Sequence, residues 1–62
     1  MSQEDILKIL VELGGEATTN QVREVAKKKF PKRTLYTYVL TRLKQLEKHS
    51  QIKRIGQVWR IS

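Results

Sequence analysis

Cysteine is absent from this chain, which also has only one proline, three glycines and one histidine. The absence of cysteine excludes disulfides and thiolate-metal staples and is compatible with a reducing intracellular compartment. No apolar run approaches the roughly 20 residues of a membrane span. The first ten residues are acidic, whereas a signal peptide begins with a basic segment. These absences predict a soluble cytoplasmic protein without a membrane partner.

Residue patterns typical of catalysis and metal binding are missing as well. The sequence offers no paired-carboxylate pocket, no Ser/His/Asp set able to converge in so small a body, no metal-ligand spacing and no glycine-rich phosphate loop. His49 has no second histidine and no cysteine to act with it. We therefore expect no enzymatic activity, no cofactor, no metal ion and no small-molecule substrate.

Acidic residues are few, and they are unevenly placed along a chain whose formal net charge is +7. Residues 1–16 hold four acids and one lysine, a net charge of −3. Residues 17–62 hold twelve lysines and arginines and two acids, a net charge of +10. This asymmetry favours a polyanionic partner, nucleic acid before a membrane surface. The alternative is a lysine-rich surface that contacts only water.

The N-terminal part of the chain has the pattern of an amphipathic helix. Ile6, Leu10 and Leu13 recur at helical spacing, and Gly14 with its neighbouring glycine is typical of a helix end. We predict a first helix over about residues 3–13, with acids in its first turn at the positive end of the helix dipole.

A second helix is predicted over about residues 19–29, after a short EAT segment that could be extended. Thr18 and Gln21 have the spacing of a capping box at its start. Pro31 ends it, because the residue before a proline is pushed out of the α region. Phe30 is then expected to fold into the core as a loop anchor.

A third helical pattern covers about residues 33–48 and separates two faces at about 100° per residue. Its buried stripe is predicted to be Leu35, Val39, Leu43 and Leu46, with Tyr36 on the flank. The opposite stripe has hydroxyls and cations and no acid, and consists of Arg33, Thr34, Thr37, Thr41, Lys44 and Lys48, with Tyr38 and Gln45 at its margin.

The C-terminal stretch IKRIGQVWRI, residues 52–61, predicts a β-hairpin with a two-residue turn in which Gly56 supplies the positive φ. The hairpin pairs Lys53 with Arg60 across the two strands. Two like charges in direct opposition weaken a sheet unless an anion lies between them. Because side chains alternate, one face is predicted to hold Ile52, Arg54, Trp59 and Ile61 and the other Lys53, Ile55, Val58 and Arg60. On the first face, the Arg54 stem is expected to lie over the Trp59 indole in a cation-π contact.

In this order, the segments ATTNQV, VLTRLKQLEK and QIKRIGQVWRI resemble the winged helix-turn-helix family over essentially the whole chain. The resemblance implies one α+β, mainly α domain over residues 1–62, with three helices and a C-terminal two-stranded β-hairpin wing. In that family the third helix usually enters the DNA major groove and the wing lies along the backbone or touches the minor groove. Members often have glycine just after the third helix, where this chain has Ser50.

The resemblance and the chemistry of the side chains together give a candidate DNA-contacting set. The base-reading residues are expected to be Arg33, Thr34, Thr37, Tyr38 and Thr41. The backbone contacts are expected to be Lys28, Lys29, Lys32, Lys44, Lys48, Lys53 and Arg60. A phosphate between the two hairpin cations would explain their like-charge pairing. Alternatively, all of these side chains extend into water, where repulsion is screened.

The function predicted from the sequence is therefore double-stranded DNA binding by a small transcriptional regulator or chromatin-associated factor. The location would be cytoplasmic, associated with a nucleoid, or nuclear in a eukaryote. A winged-helix module that docks other proteins in transcription, replication or segregation machinery is the alternative. We expect a monomer or a weak homodimer formed through the first helix.

Overall fold

The elements follow one another as helix, strand, helix, helix, strand and strand in a computed structural model that describes residues 3–31 and 38–62. Their bounds are α1 Gln3–Glu12, β1 Glu16–Thr18, α2 Thr19–Lys29, α3 Val39–Lys48, β2 Ile52–Ile55 and β3 Val58–Ile61. The described part is mainly helical with a small antiparallel sheet, which confirms the α+β, mainly α prediction. None of its helices combines the length and the apolar character needed to cross a membrane.

Helix α1 ends in a Schellman motif, as the glycine pair after it indicates. The Gly15 N–H donates to the Leu10 carbonyl at 2.8 Å, and the Gly14 N–H donates to the Val11 carbonyl at 3.1 Å. Gly14 has φ +93°, a left-handed conformation that a residue with a Cβ rarely adopts. The predicted end of the helix is confirmed to within a residue.

Helix α2 begins with the predicted capping box. The Gln21 N–H donates to Thr18 Oγ1 at 3.2 Å, while the Thr18 N–H donates to Gln21 Oε1 at 2.8 Å. The helix ends before Pro31, with Phe30 as its C-cap residue. Phe30 is half-buried and is not a member of the buried cluster of the described residues.

Helix α3 begins later than the sequence pattern predicts. Its first residue is Val39, and Tyr38 is the N-cap residue with φ −92° and ψ 8°, so a helix running unbroken from residue 33 is wrong. Tyr38 makes no side-chain capping bond, and the local sequence therefore carries no signal for this start. The predicted buried stripe is confirmed at Val39, Leu43 and Leu46, whereas residues 32–37 lie outside the described part of the chain.

Helix α3 also ends in a Schellman motif, but without glycine. The Ser50 N–H donates to the Glu47 carbonyl and the Gln51 N–H donates to the Leu46 carbonyl, both at 3.0 Å. Ser50 has φ +61°, so a side-chain-bearing residue occupies the left-handed position. The turn expected from a glycine is therefore formed here by Ser50.

The hairpin register is the one predicted, but the sheet has three strands instead of two. Strand β3 lies in the centre, in the order β1-β3-β2, with Ile55 facing Val58 beside the two-residue turn. The third strand is β1, whose Ala17 pairs with Trp59. Gly56 has φ +62° and supplies the turn conformation as expected.

The helices and the sheet enclose one cluster of buried aliphatic side chains around a single tryptophan. The apolar faces of the three helices pack there against the inner face of the sheet. Every second residue of each strand points to that face. The buried members in the described part are Ile6, Ile9, Leu10, Ala17, Val22, Ala26, Val39, Leu43, Leu46, Ile52 and Trp59.

Candidate nucleic-acid interface

The outward stripe of α3 is polar and exposed. Thr41, Lys44 and Lys48 are all exposed and lie within about 60° of one another around the helix axis. Tyr38, at the start of the helix, is 55% exposed. The acid Glu47 is also exposed and lies about 60° beyond Lys44, at the border of the stripe. The outward stripe of α3 thus exposes hydroxyl and ammonium groups. We call the stripe formed by Thr41, Lys44 and Lys48 the α3 ridge.

The outer face of the sheet brings together the two hairpin cations and an acid that the sequence reasoning missed. Lys53 of β2 faces Arg60 of β3, as predicted. On its other side Arg60 faces Glu16 of β1, and all three side chains are exposed. A cross-strand acid beside one cation partly offsets the repulsion between the two. The like charges of Lys53 and Arg60 can therefore face each other without a bound phosphate. A phosphate near Lys53 would still be favourable.

Two contacts brace the hairpin from within, and a third ties it to the start of α2. The Arg54 guanidinium lies 5.3 Å from the centroid of the Trp59 ring, which confirms the predicted cation-π contact. Arg54 Nε also donates to the Gly56 carbonyl at 3.1 Å. The buried Trp59 donates from Nε1 to Thr19 Oγ1 at 2.8 Å. This chain of contacts holds the hairpin turn against the body of the protein.

A shallow cleft runs between the end of α3 and the edge strand β2. Its lining includes Glu47 from α3, Ser50 from the following turn, and Lys53 and Ile55 from β2. The cleft therefore contains both an acid and a cation. Glu47 lowers the positive potential of this cleft.

The lysines at the end of α2 are divided between two surroundings. Lys28 is exposed, whereas Lys29 Nζ lies 2.7 Å from Glu12 Oε1 of α1. This ion pair gives Lys29 a structural contact between the two helices. DNA-backbone roles for Lys28 and Lys29 stay predictions, and the predicted contacts at Lys32, Arg33, Thr34 and Thr37 fall outside the described residues.

Within residues 3–31 and 38–62, no group of three or more histidine, aspartate or glutamate side chains is placed to hold a metal ion. Besides the carboxylates of Glu16 and Glu47, this surface exposes ammonium, guanidinium, hydroxyl and phenol groups. Such groups donate hydrogen bonds to phosphate oxygens and to acceptors on base edges.

Comparison with known proteins adds no relative, because no family model, no curated protein and no solved structure matches this chain.

Proposed function

We propose that this chain is a winged-helix protein that binds double-stranded DNA, acting as a small transcriptional regulator or chromatin-associated factor. In this proposal α3 enters the major groove, with Thr41 and Tyr38 near base edges and Lys44 and Lys48 on phosphates. The hairpin of β2 and β3 lies along the backbone or the minor groove.

The observation that carries the proposal is the exposed α3 ridge. Thr41, Lys44 and Lys48 form one solvent-facing stripe without an acid inside it, although the helix does contain an acid, Glu47, at the border. A stripe that only kept the protein soluble would have no reason to exclude acids. A stripe that faces phosphates has a reason to exclude acids, because each carboxylate there would repel the DNA.

The order and packing of the elements give the proposal further support. The edge strand β2 packs beside α3 in the described structure, and Glu47 of α3 and Lys53 of β2 line one cleft between them. Residues 38–62 carry Arg42, Lys44, Lys48, Lys53, Arg54 and Arg60 against the single acid Glu47. An electrostatic, partly sequence-independent affinity for duplexes is the expected consequence.

The test is a fluorescence-anisotropy titration of a labelled duplex with the wild-type protein and two charge-matched variants. Lys44→Gln removes a cation from the α3 ridge, and Lys8→Gln removes one from the exposed side of α1. We expect Lys44→Gln to weaken binding several-fold and to reduce the salt slope by about 1. Lys8→Gln should stay within about twofold of wild type, since its charge would lie away from the DNA. Equal losses in both variants would contradict a localised interface.

A protein-docking module is the second candidate, because Val11 on α1 is 63% exposed and lies beside the half-buried Leu7. Two side chains form a smaller apolar patch than a stable protein interface, which covers about 800 Å² on each partner. If the wild-type protein failed to bind any duplex at low salt, this candidate would replace DNA binding.

A further inference from the structure

Ile55 is an apolar side chain in an unusual place, at the tip of a cationic hairpin. It is the last residue of β2, directly before the turn at Gly56, and it is 58% exposed. Its cross-strand partner Val58 is half-buried on the same outer face. Ile55 can gain from its cross-strand pairing with Val58, but more than half of its side chain stays in water.

The surroundings of Ile55 hold more cations than acids, although Glu47 lines the same cleft and Glu16 lies beside Arg60. Lys53 lies two residues before it on the same face, and Arg60 lies across the sheet from Lys53. Arg54 adds a third cation from the inner face of the same strand. A partner that accepts an apolar tip between cations must be negatively charged at its rim and apolar inside. A duplex groove meets both conditions, because phosphates line it and stacked bases form its floor.

The tip is also braced against deformation. Arg54 holds the turn through the Gly56 carbonyl and lies over the Trp59 ring, which is buried and bonded to Thr19 at the start of α2. A side chain can separate stacked bases only if its own backbone does not yield first. The contacts from α2 to the turn supply that stiffness on the face opposite Ile55.

The small size of the apolar patch formed by Ile55 and Val58 favours a DNA partner over a protein partner. Ile55 and Val58 together are far smaller than a protein interface. One aliphatic side chain is enough to enter a base step from the minor groove and kink the duplex, as architectural DNA-binding proteins do with Ile, Leu, Met, Phe or Pro.

We propose that Ile55 is a minor-groove wedge, and that binding of this protein bends the duplex at the step the side chain enters. The inference rests on the proposed function, because it names what the hairpin does once the chain is on DNA. Flexible pyrimidine-purine steps such as TA would be preferred, since they unstack at the least cost. The bend is expected to be on the order of 20–90°.

The experiment measures energy transfer between dyes on the two ends of a duplex of about 18 base pairs, roughly 60 Å long, with a central TA step. Ile55→Thr keeps β-branching and strand propensity but replaces the apolar end with a hydroxyl. Val11→Thr is the matched control, because it makes the same kind of change at an exposed site on α1. Anisotropy of the same duplex reports binding separately, and circular dichroism confirms that both variants fold.

At saturating protein, wild type and Val11→Thr should raise energy transfer, and Ile55→Thr should abolish most of that rise while binding within about tenfold of wild type. A 2-aminopurine placed at the central step should brighten with wild type and with Val11→Thr, as its neighbours unstack, but not with Ile55→Thr. Binding without added energy transfer, or an undiminished rise with Ile55→Thr, would overturn the wedge and leave DNA binding standing. Absence of any duplex binding by the wild-type protein would overturn the proposed function and the wedge together.

Discussion

Helices α1 and α3 bury similar stripes and expose different ones. Each presents three fully buried aliphatic side chains to the same cluster, and each ends in a Schellman motif. Their charges, however, are opposite. Helix α1 holds three acids and one lysine, whereas α3 holds three cations and one acid.

Comparing the two helices distinguishes the side chains that stabilise the fold from those that are available to bind a partner. Inward stripes of the same kind contribute comparable burial of apolar area, so neither helix dominates stability. The outward stripes contribute little to stability, because exposed charges gain little from surface pairing. An opposite charge sign on two helices that bury similar stripes therefore points to a role outside the fold, and the α3 ridge is where we place the DNA.

Removing core volume should have the largest effect and should be similar in the two helices. Leu10 and Leu43 are both 0% exposed, so Leu10→Ala and Leu43→Ala should each lower the free energy of unfolding by about 2–5 kcal/mol. Urea denaturation followed by circular dichroism measures this. If one variant lost less than about 0.5 kcal/mol, the inward faces would not be equivalent.

Removing the hairpin cations should affect binding without affecting folding. Lys53→Gln combined with Arg60→Gln takes away both charges and creates no acid beside Glu16. We expect duplex affinity to fall about tenfold or more, and the salt slope to decrease by about 2. Anisotropy titrations at several salt concentrations measure both quantities. An unchanged slope would remove the hairpin from the proposed interface.

Exchanging the residues at the two helix ends should change stability by a smaller amount and with opposite signs. Ser50→Gly relieves a left-handed residue after α3, so it should stabilise the protein by about 1 kcal/mol. Gly14→Ser places the same strain after α1 and should cost about 1 kcal/mol. Thermal denaturation of both variants checks the pair, and shifts of the same sign would be inconsistent with the shared motif.

Neutralising one acid on each helix should give the smallest effect. Glu47 lines the cleft beside Lys53, so Glu47→Gln should raise duplex affinity roughly two- to fivefold. Glu4→Gln on α1 makes the same change away from the proposed interface and should leave affinity within about twofold. A larger gain from Glu4→Gln would mean that α1, not α3, approaches the DNA.

The features that could be predicted from the sequence are those that depend on local spacing. The hairpin register follows from the two-residue turn at Gly56, because a turn of fixed length fixes every pair after it. The buried face of α3 follows from helical periodicity, and the capping box of α2 from the spacing of Thr18 and Gln21.

Features that depend on contacts between distant residues could not be predicted. The sequence indicates an extended EAT segment, which β1 confirms, but it does not indicate that this segment pairs with β3, about forty residues later. The hydrogen bond from Trp59 to Thr19 and the ion pair between Lys29 and Glu12 also join separate elements. No local pattern encodes such contacts.

The same reason explains what was missed in the candidate site. Glu16 lies beside Arg60 only because β1 joins the sheet, and Glu47 faces the cleft only because β2 packs beside α3. The start of α3 at Val39 was missed because Tyr38 offers no capping side chain. Sequence reasoning therefore identified the exposed cations but not the packing that brings Glu16 to Arg60 and Glu47 to the cleft beside Lys53.

The most direct test of DNA binding through the α3 ridge and the hairpin is the salt dependence of wild-type duplex affinity. Four described cations, Lys44, Lys48, Lys53 and Arg60, are assigned to phosphates. Four phosphate contacts predict a slope of log affinity against log salt of about −3.6, and further contacts would make it steeper. A slope near zero, or no duplex binding at low salt, would contradict the account.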